Sequence, residues 1–132
     1  MSAAMHVERV EPDHPAAAQV CAQAQCQFDA AHSTLVVVLF MDRQPVAMLA
    51  GCELQQGPVI LHLAIVPGRL TRAGLCALGN QYMFYVKHSP YLLIAVDPRL
   101  PGVRGLRTLL ARWPAYVYRT DHHREWWVRY LR

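Results

Sequence analysis

Several signatures of well-defined chemistry are missing from this chain. There is no P-loop, no G-x-S-x-G elbow and no H-E-x-x-H, so the sequence offers no phosphate cradle, serine-hydrolase turn or zincin helix of the familiar kinds. The four cysteines, Cys21, Cys26, Cys52 and Cys76, contain no C-x-x-C pair, and no set of cysteine and histidine has zinc spacing. No metal site is expected. No apolar run approaches the roughly 18–20 residues of a membrane helix; the longest, Leu35 to Met41, is strand length. Met1 to His6 lacks a basic segment followed by a long apolar stretch, so a secretory leader is not expected. The expectation is a soluble, cytoplasmic chain with no membrane contact. Repeats, low-complexity tracts and linkers are missing as well.

Acidic groups are scarce in the second half. Residues 1–68 hold two basic and six acidic groups, whereas residues 69–132 hold eleven basic and three acidic groups, sums of −4 and +8. Such polarity suits a polyanionic partner: cofactor phosphates, nucleic acid or an acidic protein surface. Arginines 104, 107, 112, 119, 124, 129 and 132 interleave with Trp113, Trp126, Trp127 and Tyr130, which would suit phosphate pairing and base stacking. Tryptophans more often fill cores or interfaces, so nucleic acid is the lesser expectation and a protein partner or homo-oligomer the greater. Trp126 and Trp127 should send one ring to each sheet face.

What is present fits one domain. A length of 132 residues, 54% hydrophobic and 17% charged, supports a single core spanning 1–132. A chain this apolar does not depend on disulfide staples, and the cysteines read as reduced, mostly buried thiols. On one helix Cys21 and Cys26 would sit about 140° apart. His122 and His123, being adjacent, would point to opposite faces in extended chain.

Periodicity gives the element order. His6 to Val10 alternates like a half-buried strand. Asp13 is a candidate N-cap with Pro15 in the first turn, opening a helix from Ala16 to about Phe28. Thr34–Met41, Val46–Leu54 and Val59–Val66 read as three strands whose short linkers, Asp42–Pro45 and Gln55–Pro58, force an antiparallel meander. Thr71–Lys87 has helical spacing, Tyr91–Val96 reads as a buried strand, and Val103–Trp113 as a helix with Arg104, Arg107 and Arg112 exposed. Ala115–Tyr118 and Trp126–Leu131 read as final strands.

This order, strand, helix, three-strand meander, helix, strand, helix and two strands, resembles the GNAT acyltransferase superfamily from His6 to Leu131. The resemblance implies an α/β (α+β) fold: a mixed, mostly antiparallel central sheet flanked by about three helices. The segment Ile65-Val66-Pro67-Gly68-Arg69-Leu70-Thr71-Arg72-Ala73-Gly74-Leu75 is similar to the family's strand end and (Q/R)-x-x-G-x-(G/A) loop. By that resemblance Val66, Arg69, Arg72, Ala73 and Gly74 are the residues for acetyl-CoA or another acyl-CoA, with helix N–H groups holding the pyrophosphate. Arg72 stands where the family has its central glycine.

The resemblance further implies acyl transfer to an amine, with Glu53 on the meander or His62 in its third strand as the base. The family's usual acid is a tyrosine on the last helix. The helix Val103–Trp113 has none, and Tyr116 and Tyr118 beyond it read as core or sheet-face aromatics. These departures leave a second expectation, a non-catalytic GNAT-like module that binds protein. A narrower resemblance, on Val103-Arg104-Gly105-Leu106-Arg107-Thr108-Leu109 and the aromatic strand after it, is to small GNAT-like proteins of short-tailed bacteriophages, including internal virion proteins.

Overall fold

The computed structural model describes residues 4–26, 28–55, 57–99, 103–121 and 123–131. Seven strands form one sheet: β1 (Met5–Val10), β2 (Leu35–Met41), β3 (Gln44–Leu54), β4 (Gly57–Ile65), β5 (Tyr91–Val96), β6 (Tyr116–Thr120) and β7 (Glu125–Tyr130). Their spatial order is β1-β2-β3-β4-β5-β7-β6, and among the described residues only the β4–β5 pairing is parallel. This is the mixed, mostly antiparallel sheet that the element order implied.

The sheet is covered on both faces, which explains the unbroken apolar runs of β2 and β3. On one face lies helix α1 (Pro15–Ala24), whose Ala16, Ala17, Val20 and Cys21 pack on Val36, Val38, Met48, Ala50 and Ala64. On the other, helix α2 (Arg72–Val86) places Leu78, Tyr82 and Val86 among Val37, Leu39, Ala47, Leu49, Leu92 and Ile94. Each fully buried aliphatic or aromatic side chain of this kind contributes about 1.5–3 kcal/mol. Helix α3 (Val103–Arg112) reaches this core through Leu110, with Val103 and Leu106 half-buried beside it. Its polar face is tied to β7: both guanidinium nitrogens Nε and Nη2 of Arg107 donate to the Glu125 carboxylate, the first at 3.0 Å. That pairing holds the Glu125 carboxyl below its ordinary range.

Several boundaries differ from those the sequence implied. His14, not Asp13, caps α1: its Nδ1 accepts from Ala16 N–H at 3.0 Å, with Pro15 in the first turn. The same helix stops at Ala24 rather than near Phe28, because Gln25 is left-handed (φ 56°, ψ 42°) and the Cys26 N–H turns back to the Cys21 carbonyl at 3.0 Å. Strand β3 begins at Gln44, so Pro45 lies inside it, opposite Phe40 where the β2–β3 register shifts. A proline is tolerated in a strand at such an irregularity. Of the two readings of Tyr116 and Tyr118, core or sheet-face, the structure excludes the core: both lie on the edge strand β6, all five of whose residues are exposed. Trp126 and Trp127 do divide between two apolar clusters, as the period of two requires. His122 and the loop residues Leu100, Pro101 and Gly102 lie outside the described residues.

One irregularity shapes the rest. Ala50 pairs with His62 but Gly51 pairs with Ile60, leaving Leu61 as an extra residue in β4. Gly51 permits it: a Cβ there would stand 2.0 Å from the Val59 carbonyl oxygen and 2.3 Å from the Tyr82 hydroxyl. Past the bulge β4 leaves β5, and the parallel ladder contains only Val59↔Leu93 and Ile60↔Ile94.

Gly51→Ala should therefore destabilise the fold by about 3 kcal/mol, near the top of the range for overpacking, as read from the denaturant midpoint. The opposite sign is expected in the β2–β3 hairpin. Asp42 and Arg43 both have positive φ, 51° and 68°, the two-residue turn that favours Asp-Gly. Arg43→Gly should raise stability by about 1 kcal/mol in the same assay.

Candidate functional site

A cavity of about 750 Å³ opens where β4 and β5 part. Its floor is Ile60, Leu61, His62 and Leu63 of β4 with Ile94, Ala95, Val96 and Asp97 at the end of β5. One side is walled by Leu75, Cys76, Gly79 and Asn80 of α2 and by Leu106, Leu109, Leu110, Arg112 and Trp113 of α3 and its end. The other is reached by Gln25 and Cys26 after α1. Because α1 and α2 lie on opposite faces of the sheet, the cavity runs through the split rather than along one face. Ligands of open sheets gather in such a crevice, at the carboxyl ends of the strands. Most of the wall is apolar, with a few polar groups converging on it.

His62 is the titratable base on this wall. Its register partner is Ala50, and the Phe28 ring meets it edge-on with centroids 5.5 Å apart. Burial pushes its pKa below the ordinary 6.5; Asp29 opposes the shift and Arg124 adds to it. A histidine in that setting is a neutral imidazole near pH 7 and able to accept a proton. Asp97 and Arg124 close the same end. Asp97 pairs with Arg99 at 3.2 Å and with Arg124 at 3.6 Å, and the Arg99 bonds hold its carboxyl below the usual range.

The other catalytic and cofactor-binding residues that the resemblance implied lie apart from the cavity wall. Glu53 is exposed near the end of β3, paired with Pro58. Val66 follows β4 and donates its N–H to the Val46 carbonyl at 2.8 Å. Arg69, Arg72 and Ala73 are exposed around the start of α2. Thr71 caps that helix, its hydroxyl accepting from Gly74 N–H at 3.0 Å. Gly74 itself is buried: a Cβ there would meet Leu39 Cδ2 at 2.7 Å. Its missing side chain serves helix–sheet packing, whereas Arg72 and Ala73 present the open first turn.

Sequence reasoning missed Asp97, Arg124, Asn80 and Cys26 as wall residues. Asp97 carried a usable signal, since it directly follows an apolar strand. Arg124 stood out only as one of the second half's arginines, and its place at the cavity was hidden because it reaches there from a turn between two late strands. Among the described residues of the wall there is no tyrosine and no cluster of three or more groups suited to a metal ion. No helix among them is long and apolar enough to cross a membrane.

This split sheet with a helix opening beside it is the fold of the GNAT acyltransferases. No family model matches the sequence, and no curated protein matches it. The likeness is to solved structures. An acetyltransferase from Thermus thermophilus superposes with a TM-score of 0.75 at 13% identity, over 99% of this chain and 98% of that one. A Desulfovibrio desulfuricans protein assigned to the GNAT family gives 0.73 at 12% identity, over 98% and 100%. The PaiA N-acetyltransferase of Thermoplasma acidophilum, solved with coenzyme A, gives 0.63 at 13% identity, over 84% and 65%. At such identities the likeness shows the fold alone, and nothing in it supports a phage origin.

The half-buried imidazole of His62 sets a pH dependence. His62 has a folded pKa below its unfolded value of about 6.5, so the unfolded chain takes up its proton first as pH falls. Stability from His62 is complete above about 6.5 and is lost as pH drops through the lower folded value. A histidine-resolved NMR titration should show the His62 imidazole titrating below 6.5, with that signal absent in His62→Asn. The variant should also lose less stability between neutral and mildly acid pH.

Proposed function

We propose that the chain is an N-acyltransferase that moves an acetyl or other acyl group from acyl-CoA to an amine. The observation that carries this reading is the cavity through the β4–β5 split with the neutral His62 imidazole on its wall. The start of α2 suits an anion: the first turn presents helix N–H groups at Arg72 and Ala73, flanked by the exposed Arg69 and Arg72 side chains. Val66, Arg69, Arg72, Ala73 and Gly74 form the segment that would hold the pyrophosphate. Gly74 contributes by letting α2 sit close to β2, since its N–H is already engaged by Thr71. Acyl-CoA supplies an acyl group activated as a thioester.

His62 is the base that takes the proton from the amine, and its burial keeps it unprotonated for that step. Glu53, exposed and away from the cavity wall, is the second candidate and the weaker one. Leu61 and its neighbours in β4 leave backbone groups facing the split, where no strand pairs with them. Such groups are suited to polarising a thioester carbonyl. A cytoplasmic setting is part of the proposal.

A second reading is a non-catalytic module of the same fold that binds a protein partner or a second copy of itself. It is favoured by the wall without tyrosine and by the exposed Tyr116, Val117 and Tyr118 on the edge strand β6.

Isothermal titration with acetyl-CoA separates the two. Saturable binding is expected, weakened about tenfold by Arg72→Glu, roughly the 1.4 kcal/mol reached by a helix-terminus charge in favourable geometry. Given a competent amine, His62→Ala should then lower kcat by about a hundredfold, with acetyl-CoA affinity kept, and Glu53→Ala should stay within about twofold. A folded sample that does not bind acetyl-CoA at millimolar concentration contradicts the transferase and leaves the binding module.

A further inference from the structure

Two thiols that the helical period would separate meet at the end of α1. Gln25 is left-handed, and two backbone bonds wrap the final turn: Gln25 N–H to the Ala22 carbonyl at 3.3 Å, and Cys26 N–H to the Cys21 carbonyl at 3.0 Å. In this kind of helix ending the side chains at the two ends of the outer bond come into contact, commonly as an apolar pair. Here both positions are cysteine, and both are free thiols. The Cys21 thiol donates to Met48 Sδ at 3.8 Å, and Cys26 is near enough to help raise its pKa. With ordinary bond lengths, the backbone bond keeps the two Cα atoms within about 7 Å. Disulfides span about 4.4–6.8 Å between Cα atoms.

Exposure differs between the two. Cys21 is buried against the sheet, while Cys26 is half-buried and lines the cavity. We propose that Cys21 and Cys26 are a redox pair, which a small disulfide such as glutathione disulfide converts into an intramolecular disulfide at the cavity wall. Cys26 loses its proton to solvent and its Sγ bonds one sulfur of the small disulfide. That S–S bond breaks and the first small thiolate leaves. Cys21 then gives up its proton, attacks Cys26 Sγ and expels the second small thiolate. Two protein thiols are oxidised, and one small disulfide is reduced to two thiols.

The order follows from burial. Burial first, and then Cys26 beside it, push Cys21 up to about 12, which suits the resolving thiol and not the attacking one. The pair stands on its own geometry and holds whether or not the cavity transfers acyl groups. Because Cys26 lines the cavity, its transient adduct would project there, and the disulfide would withdraw its thiol towards the sheet.

The test is to equilibrate the folded chain with glutathione disulfide, trap thiols in acid, digest with trypsin and weigh the peptide spanning residues 10–43. A peptide lighter by two hydrogen atoms is expected, restored by a dithiol reductant. A peptide of unchanged mass, or one retaining glutathione on Cys26 while Cys21 is present, overturns the proposal. Cys21→Ala should hold glutathione on Cys26, because the resolving thiol is gone. Should that buried substitution fail to fold, Cys26→Ser decides the matter. Cys21 is expected to stay unmodified there, and its modification at the wild-type rate would show that Cys26 is not the entry point.

Discussion

Everything in the site depends on one extra residue in β4. Leu61 has no register partner on β3, and the strand can accommodate it only because Gly51 leaves room between the Val59 carbonyl and the Tyr82 hydroxyl. The bulge sends β4 away from β5 after two parallel pairs. A continuous sheet would have consumed those backbone groups in a ladder; here they face a cavity. The helices do not close the gap. Leu110 ties α3 to the core and Arg107 ties it to Glu125, while Leu106 and Trp113 remain on the cavity wall. Packing on both faces thus holds open a passage that backbone pairing alone would close.

Charge is arranged around that passage. The excess of arginine in the second half of the sequence does not form one patch: Arg107 is engaged by Glu125, Arg99 by Asp97, and Arg129 by the Trp113 ring and the Pro114 carbonyl. Arg112 and Arg124 face the cavity, and Arg69 and Arg72 flank the open first turn of α2. That distribution supports the proposed acyl-CoA ligand, whose phosphates are compact, over a long nucleic-acid track.

The fold was legible because its elements carry strong local signals. The buried runs of β2 to β5, the prolines before α1 and after α2, and the short turns of the meander each specify one local structure. Their order matched one architecture. Boundaries were less legible where backbone geometry decided them: the left-handed Gln25 shortened α1, and the shift opposite Phe40 allowed Pro45 into β3. Of the site, His62 could be found because a histidine in the middle of an apolar strand is conspicuous. The bulge at Leu61 could not, since an extra residue in an apolar run leaves the composition unchanged. Nor could the meeting of Cys21 and Cys26, which a continued helix would have held apart.

In the proposed transferase the ligand lies in the split beyond Leu61, with the start of α2 at one end of it. Amide-resolved NMR titration with acetyl-CoA locates it. The largest shifts should fall on residues 61–66 of β4 and its end, on 70–74, and on 94–97. Shifts absent from 61–66 and gathered instead on β6 or β1 would contradict that placement, because the ligand would then ignore the opening that the bulge creates.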